Sequence, residues 1–253
     1  MLRYVAVLLI GILSSVAGEA AELKIFAALV LQDALGRIGP SFSRATGHTA
    51  DIAYSTVGAI RQKLAAGERA DIVILTSEAI EALDHAGTLV AGSSMPVAAT
   101  RTGVAIRDGA AAPAIATIEQ FRATLLAARS VAYTDPKTGG AFGTYFGAEL
   151  ERMGIAQAVN AKAVLRRGSH EIVASVAKGE AELGITFVST IVSTKGVKVA
   201  GPLPPPLTGV ERFSAGVLHD SAARDAALAF VRALRAGEAR ATWTAMGFEA
   251  ANP

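Results

Sequence analysis

An α/β fold with mostly parallel strands is predicted by three observations. Short apolar runs of strand length alternate with longer segments of helical period. The 253 residues are 51% hydrophobic and 18% charged, a balance that excludes disorder and coiled coils and supports either one large domain or two lobes. A long apolar stretch at residues 96–106 and a proline run at 201–206 interrupt the alternation, as a chain crossing between lobes and returning would.

The elements follow in order. Residues 23–27, 50–54 and 71–75 are compact apolar strands, and residues 31–44 and 59–66 between them have helix-forming spacing, so two βα units open the chain. Thr76-Ser77-Glu78 caps a helix that Gly87 stops, because a hydroxyl accepts free amide hydrogens of the first turn. The stretch 96–106 is read as a strand broken at Arg101-Thr102-Gly103. Helix 118–128, strand 131–133, helices 142–153 and 170–178 and strand 183–187 form a second α/β set. After the proline run come strand 213–218 and helix 221–235, with Ala222, Ala226, Ala229, Phe230 and Ala233 along its buried face. Trp243, Phe230 and Phe248 read as core. These breaks divide the chain into one lobe of residues 21–99 plus 206–253 and a second of 100–205.

Residues 1–20 read as a signal peptide: Arg3 supplies a charge, residues 4–13 are apolar and shorter than a membrane span, and Gly18-Glu19-Ala20 is a cleavage signal. The exported product is expected in the periplasm. Lys and Arg total 24 against 22 Asp and Glu, scattered along the chain, so nucleic acid is not an expected partner. The sequence has no cysteine, which removes disulfides, thiolate metal sites and a cysteine nucleophile. His48, His85, His170 and His219 are too dispersed for a metal site. Gly140-Ala141-Phe142-Gly143 lacks the lysine and hydroxyl of a phosphate loop, and no cofactor is predicted.

Several pieces in sequence resemble the molybdate-binding type of periplasmic solute-binding protein. They are Phe26-Ala27-Ala28, Ala66-Gly67-Glu68-Arg69-Ala70-Asp71-Ile72-Val73-Ile74, Asp135-Pro136 before a glycine-rich turn, Gly179-Glu180-Ala181-Glu182-Leu183-Gly184-Ile185, and Gly247-Phe248. The resemblance implies a two-lobed type II binding-protein fold with the ligand clamped at the hinge, a monomer, and an ABC permease as partner. In that family serine hydroxyls, a tyrosine hydroxyl and backbone amides hold the oxyanion. Here the serine positions fall on Val30 and on Val57, with Thr56 beside it, and the tyrosine position on Phe187. A valine in place of a donor leaves about 1–3 kcal/mol of anion desolvation uncompensated, so molybdate is not the expected ligand.

A larger, partly apolar organic carboxylate is expected instead. Ser55-Thr56-Val57-Gly58 and Lys137-Thr138-Gly139-Gly140 each lead into a helix, whose N-terminus favours an anion; for Ser55, Thr56 and Gly58 ordinary helix capping is the alternative. Arg101, at the crossing, suits either a bidentate carboxylate contact or a surface ion pair. Ser169-His170-Glu171 opens a helix that the resemblance turns toward the same cleft, with His170 an anion donor or a surface cap. The chain is also similar to the periplasmic aconitate isomerases. That rival implies a base moving a proton along an allylic carbon, for which His170, Glu171, Lys137 and Tyr133 are the candidates.

Overall fold

The computed structural model describes residues 20–138 and 141–251. The expected signal peptide falls on residues 1–19, outside them, apart from Ala20.

The chain runs from β1 (Glu22–Ala28) through a 3-10 turn (Leu29–Leu31) into α1 (Gln32–Thr46), then β2 (Thr49–Ser55), α2 (Val57–Ala65), β3 (Ile72–Thr76), α3 (Ser77–His85) and β4 (Met95–Arg107). Next come α4 (Ile118–Ala127), β5 (Val131–Thr134), a 3-10 turn (Pro136–Thr138), α5 (Ala141–Arg152), α6 (Ala156–Asn160) and β6 (Ala163–Arg166). Then α7 (Ser169–Lys178), β7 (Leu183–Phe187), α8 (Val188–Ser193) and β8 (Val197–Pro202) lead to β9 (Val210–Val217), α9 (Arg224–Ala233), α10 (Gly237–Ala245) and β10 (Glu249–Ala250).

The strands lie in the order β2-β1-β3-β9-β4-β7-β5-β6, with β8 and β10 also on β4. Parallel pairing is confined to β2-β1-β3 and β6-β5-β7, while the pairings of β4 and β9 are antiparallel. The sheet is therefore more mixed than expected, because β4 carries the chain outward and β9 brings it back.

Burial explains why residues 72–75 of β3 are an unbroken apolar run. In β3, Ile72 and Ile74 join the core under α1, α9 and α10, and Val73 and Leu75 join the one under α2 and α3. Successive side chains take opposite faces, so a strand covered on both sides is apolar at every position. In the second lobe, Val104, Ile106 and Ile185 pack with α4, α5 and α6, and Ala105 packs with α7 and α8. Trp243, Phe230 and Phe248 are buried, as expected, with the Trp243 indole donating to the Leu234 carbonyl at 3.0 Å.

Three expectations need correction. Residues 101–103 do not break the strand: β4 is continuous over 13 residues and changes partners there, from β9 to β7 and β8. It is polar at Thr100, Arg101 and Thr102 because it passes between two cores, and Gly103 permits close approach, since a Cβ there would lie 2.9 Å from the Gly201 carbonyl oxygen and from Val188. Gly201 and Pro202 still belong to β8, so the break falls after them. The last long helix, α9, starts only at Arg224 and buries Ala226, Ala227, Phe230 and Val231, whereas Ala222 is exposed. The short β6, α8 and β8 escaped sequence reading. α8 reads VSTIVS, whose β-branched residues suggest a strand, yet packing against β4 and β8 makes it a helix.

Candidate functional site

In open α/β sheets ligands bind outside the carboxyl ends of the parallel strands, because the turns that follow leave free backbone groups there. Here those ends belong to β1, β2 and β3 in one lobe and to β5, β6 and β7 in the other. One side-chain contact joins the two sets: His170 Nε2, from the helix after β6, lies 3.5 Å from Asp33 Oδ2, from the helix after β1. At the hinge, the Thr100 hydroxyl of β4 donates to Ser189 of α8 at 3.2 Å.

The first-lobe wall is apolar above and acidic at its edges. Leu29 is 41% exposed and Val30 half-buried in the 3-10 turn after β1. Ser55 ends β2, and the Thr56 hydroxyl caps α2 by accepting from Ala59 N at 3.2 Å. The helix begins at Val57, two residues earlier than expected, so Val57 and Gly58 sit in its first turn. Tyr54 is held protonated, its hydroxyl pushed up to about 12 by burial and then by Asp33. Burial, with nearby Glu78, also raises the Glu211 carboxyl above the usual carboxylate range.

The second-lobe wall is aromatic. Phe187 closes β7 with its ring 6.2 Å from Phe142, which stacks on Phe146 at 5.9 Å. Gly143 lets α5 seat against the end of β5, since a Cβ there would come 2.6 Å from the Thr134 carbonyl oxygen.

Of the expected residues, the structure brings His170 against the opposite lobe. Ser169 is the first residue of α7, with Gly168 at the N-cap position, and Glu171 accepts from Arg167 N at 3.1 Å. The Lys137 backbone amide donates to Asp135 at 2.9 Å. Tyr133 is 2% exposed and its hydroxyl donates to Asn160, which places it in the second-lobe core. Arg101 is paired with Glu249, the surface-pair alternative. Gly139, Gly140 and the Thr138 side chain lie outside the described residues. Asp33, Tyr54, Phe142, Gly143 and Glu211 were missed. An acid in a first helical turn is ordinary helix chemistry, and nothing local marks Phe142 as a neighbour of Phe187.

A cavity of about 540 Å³ lies at the ends of β5 and β6, lined by Asp135, Lys137, Leu165, Arg166, Arg167 and Glu171. Another, of about 510 Å³, is lined by Arg107, Arg129, Gly179 and Glu182, among others, at the opposite ends of the second-lobe strands. The strand-end rule favours the former as part of the site.

The family model of bacterial extracellular solute-binding proteins matches residues 23–249. An aconitate isomerase from Pseudomonas sp is 30% identical over 208 residues, 80% of this chain and 78% of that protein. The Azotobacter vinelandii periplasmic molybdate-binding protein superposes with a TM-score of 0.70 at 20% identity, covering 91% of this chain and 99% of that one. PEB3 with L-phospholactate bound superposes with a TM-score of 0.66 at 15% identity, covering 91% of this chain and 99% of its own.

Proposed function

The chain belongs to the bacterial extracellular solute-binding protein family, and from that premise we propose that it is a periplasmic receptor delivering a small organic carboxylate to an ABC permease. In this reading residues 21–99 with 206–253 form one jaw and residues 100–205 the other. The ligand meets the first jaw, and closure of the second completes its contacts and expels water. The observation that carries the reading is the character of the walls. Val30 and Val57 on one side, and Phe187 backed by Phe142 on the other, offer an apolar body a surface but give a tetrahedral dianion no donors. Thr56, Ser55, Ser169 and the amides of residues 138–140 are left to hold the charged end. The fold does not decide the ligand, since its neighbours include proteins with molybdate and with L-phospholactate.

Calorimetric titration of the purified protein with trans-aconitate, tricarballylate, molybdate and sulfate tests this. Saturable binding of the organic acids without the inorganic ones supports it, and the reverse order overturns it.

The contact between His170 and Asp33, together with the 30% identical isomerase, favours a second reading: allylic isomerisation of a tricarboxylate. With Nε2 turned to the Asp33 carboxylate, Nδ1 of the imidazole is the free proton acceptor. It takes a proton from the methylene carbon of trans-aconitate, the double bond shifts, and the same proton returns to the former vinyl carbon. Glu171, next in sequence, and Lys137, which lines the same cavity as Glu171, are the alternative bases. NMR of the protein with trans-aconitate separates the readings, because the cis isomer accumulates only with an enzyme.

A further inference from the structure

We propose that Lys137 and Arg167 form a second carboxylate-reading subsite on the lip of the second lobe, so that the ligand class is di- or tricarboxylate. This rests on the organic-acid reading of the cleft and adds to it.

The argument comes from sorting the cations near the gap by what already holds them. Arg101 is engaged by Glu249. Arg166 is fixed by Ser175 Oγ at 2.7 Å and Glu180 Oε2 at 2.7 Å, so its guanidinium ties β6 to α7. The side chains of Lys137 and Arg167 make no hydrogen bond or ion pair among the described residues, although both line the cavity of about 540 Å³. Their backbones, by contrast, are pinned. Lys137 N donates to Asp135 Oδ1 and Arg167 N to Glu171 Oε2, at 2.9 and 3.1 Å.

The loops carrying them are also locked to each other. β5 and β6 run in parallel register with Thr134 opposite Arg166, and Asp135 N extends the ladder to the Arg166 carbonyl at 2.8 Å. Two uncommitted cations therefore project from adjacent, mutually fixed strand ends. Asp135 and Glu171 line the same cavity, but each has an oxygen engaged by a backbone amide and, among the described residues, neither pairs with the Lys137 or Arg167 side chain. An ammonium and a guanidinium suit carboxylate oxygens, the guanidinium in bidentate fashion. The subsite sits at the end of β6, the last strand in the order, which leads into the helix that carries His170. It would hold a carboxylate distal to the one seated among the helix N-termini.

The test compares tricarballylate with butyrate, which lacks the extra carboxylates, in calorimetric titrations of wild type, Lys137→Gln, Arg167→Gln and the double variant. Expected is a wild-type preference for tricarballylate, lost by about tenfold per neutralised cation, with butyrate affinity unchanged. The wild type alone gives a second readout: tricarballylate affinity should fall more steeply with added salt than butyrate affinity. Equal wild-type affinities with equal salt slopes, or a double variant that still prefers tricarballylate, overturn the subsite and leave the organic-acid reading standing. Wild type that binds neither acid overturns both.

Discussion

The two walls of the gap differ in charge and in what their polar groups already hold. The first lobe presents Asp33, Glu78 and Glu211 around an aliphatic shelf, with the Tyr54 hydroxyl kept protonated. The second presents His170, Lys137 and Arg167 around the rings of Phe187 and Phe142. An anion entering between them must compete with Asp33 for His170, while the Lys137 and Arg167 side chains have no such competitor among the described residues. In the proposed reading selectivity therefore falls mainly to the second lobe, and the first lobe's acids have the role of tuning how readily the gap closes.

The largest expected effects test whether the lobes stand on comparable cores. Trp243→Ala in the first lobe and Phe146→Ala in the second each remove a fully buried ring and should cost about 3–5 kcal/mol in urea unfolding. A loss below 1 kcal/mol in one of them would mark that lobe's core as loosely packed. Next is Gly143→Ala, whose methyl group would collide with the Thr134 carbonyl. It should cost about 1–3 kcal/mol and weaken ligand binding, because α5 carries Phe142. No core residue of the first lobe is touched, so a binding loss here locates recognition in the second.

Smaller effects concern the contact across the gap. Asp33→Asn removes the internal competitor and should tighten carboxylate binding several-fold, whereas His170→Ala should weaken it. A double-mutant cycle on stability should give a coupling of only about 0.2–1 kcal/mol, since both groups are partly exposed. The smallest expected effect is at Glu211. An acid whose folded pKa is raised destabilises the fold once ionised, so its favourable contribution is present at low pH and lost as pH rises through the folded value. Glu211→Gln should therefore raise the melting temperature at pH 7 by roughly 1–3 °C and have no effect below the ordinary carboxylate range. A stabilisation persisting there would assign the effect to packing.

The fold was legible in the sequence wherever a strand is covered on both faces. Residues 71–75 and 183–187 are dominated by apolar residues because each face meets a helix, and they emerged within a residue of their observed bounds. Edge elements were not legible. β6 and β8 are short and only partly covered, and Leu165 remains 40% exposed. The apparent break at residues 101–103 misled because polarity between two cores resembles polarity in a turn. For the proposed site, Val30, Val57 and Phe187 stand out in the sequence as departures from a pattern held at fixed places along the chain. Asp33, Phe142 and Arg167 do not, since their relevance arises from pairing across the gap or between adjacent strand ends, which no local spacing encodes.

One titration tests the central claim most directly: molybdate and trans-aconitate, each added to the ligand-free protein in a calorimeter. A cleft walled by Val30, Val57 and Phe187 should bind trans-aconitate saturably and give no heat of binding with molybdate. Tight molybdate binding with no response to trans-aconitate would contradict it.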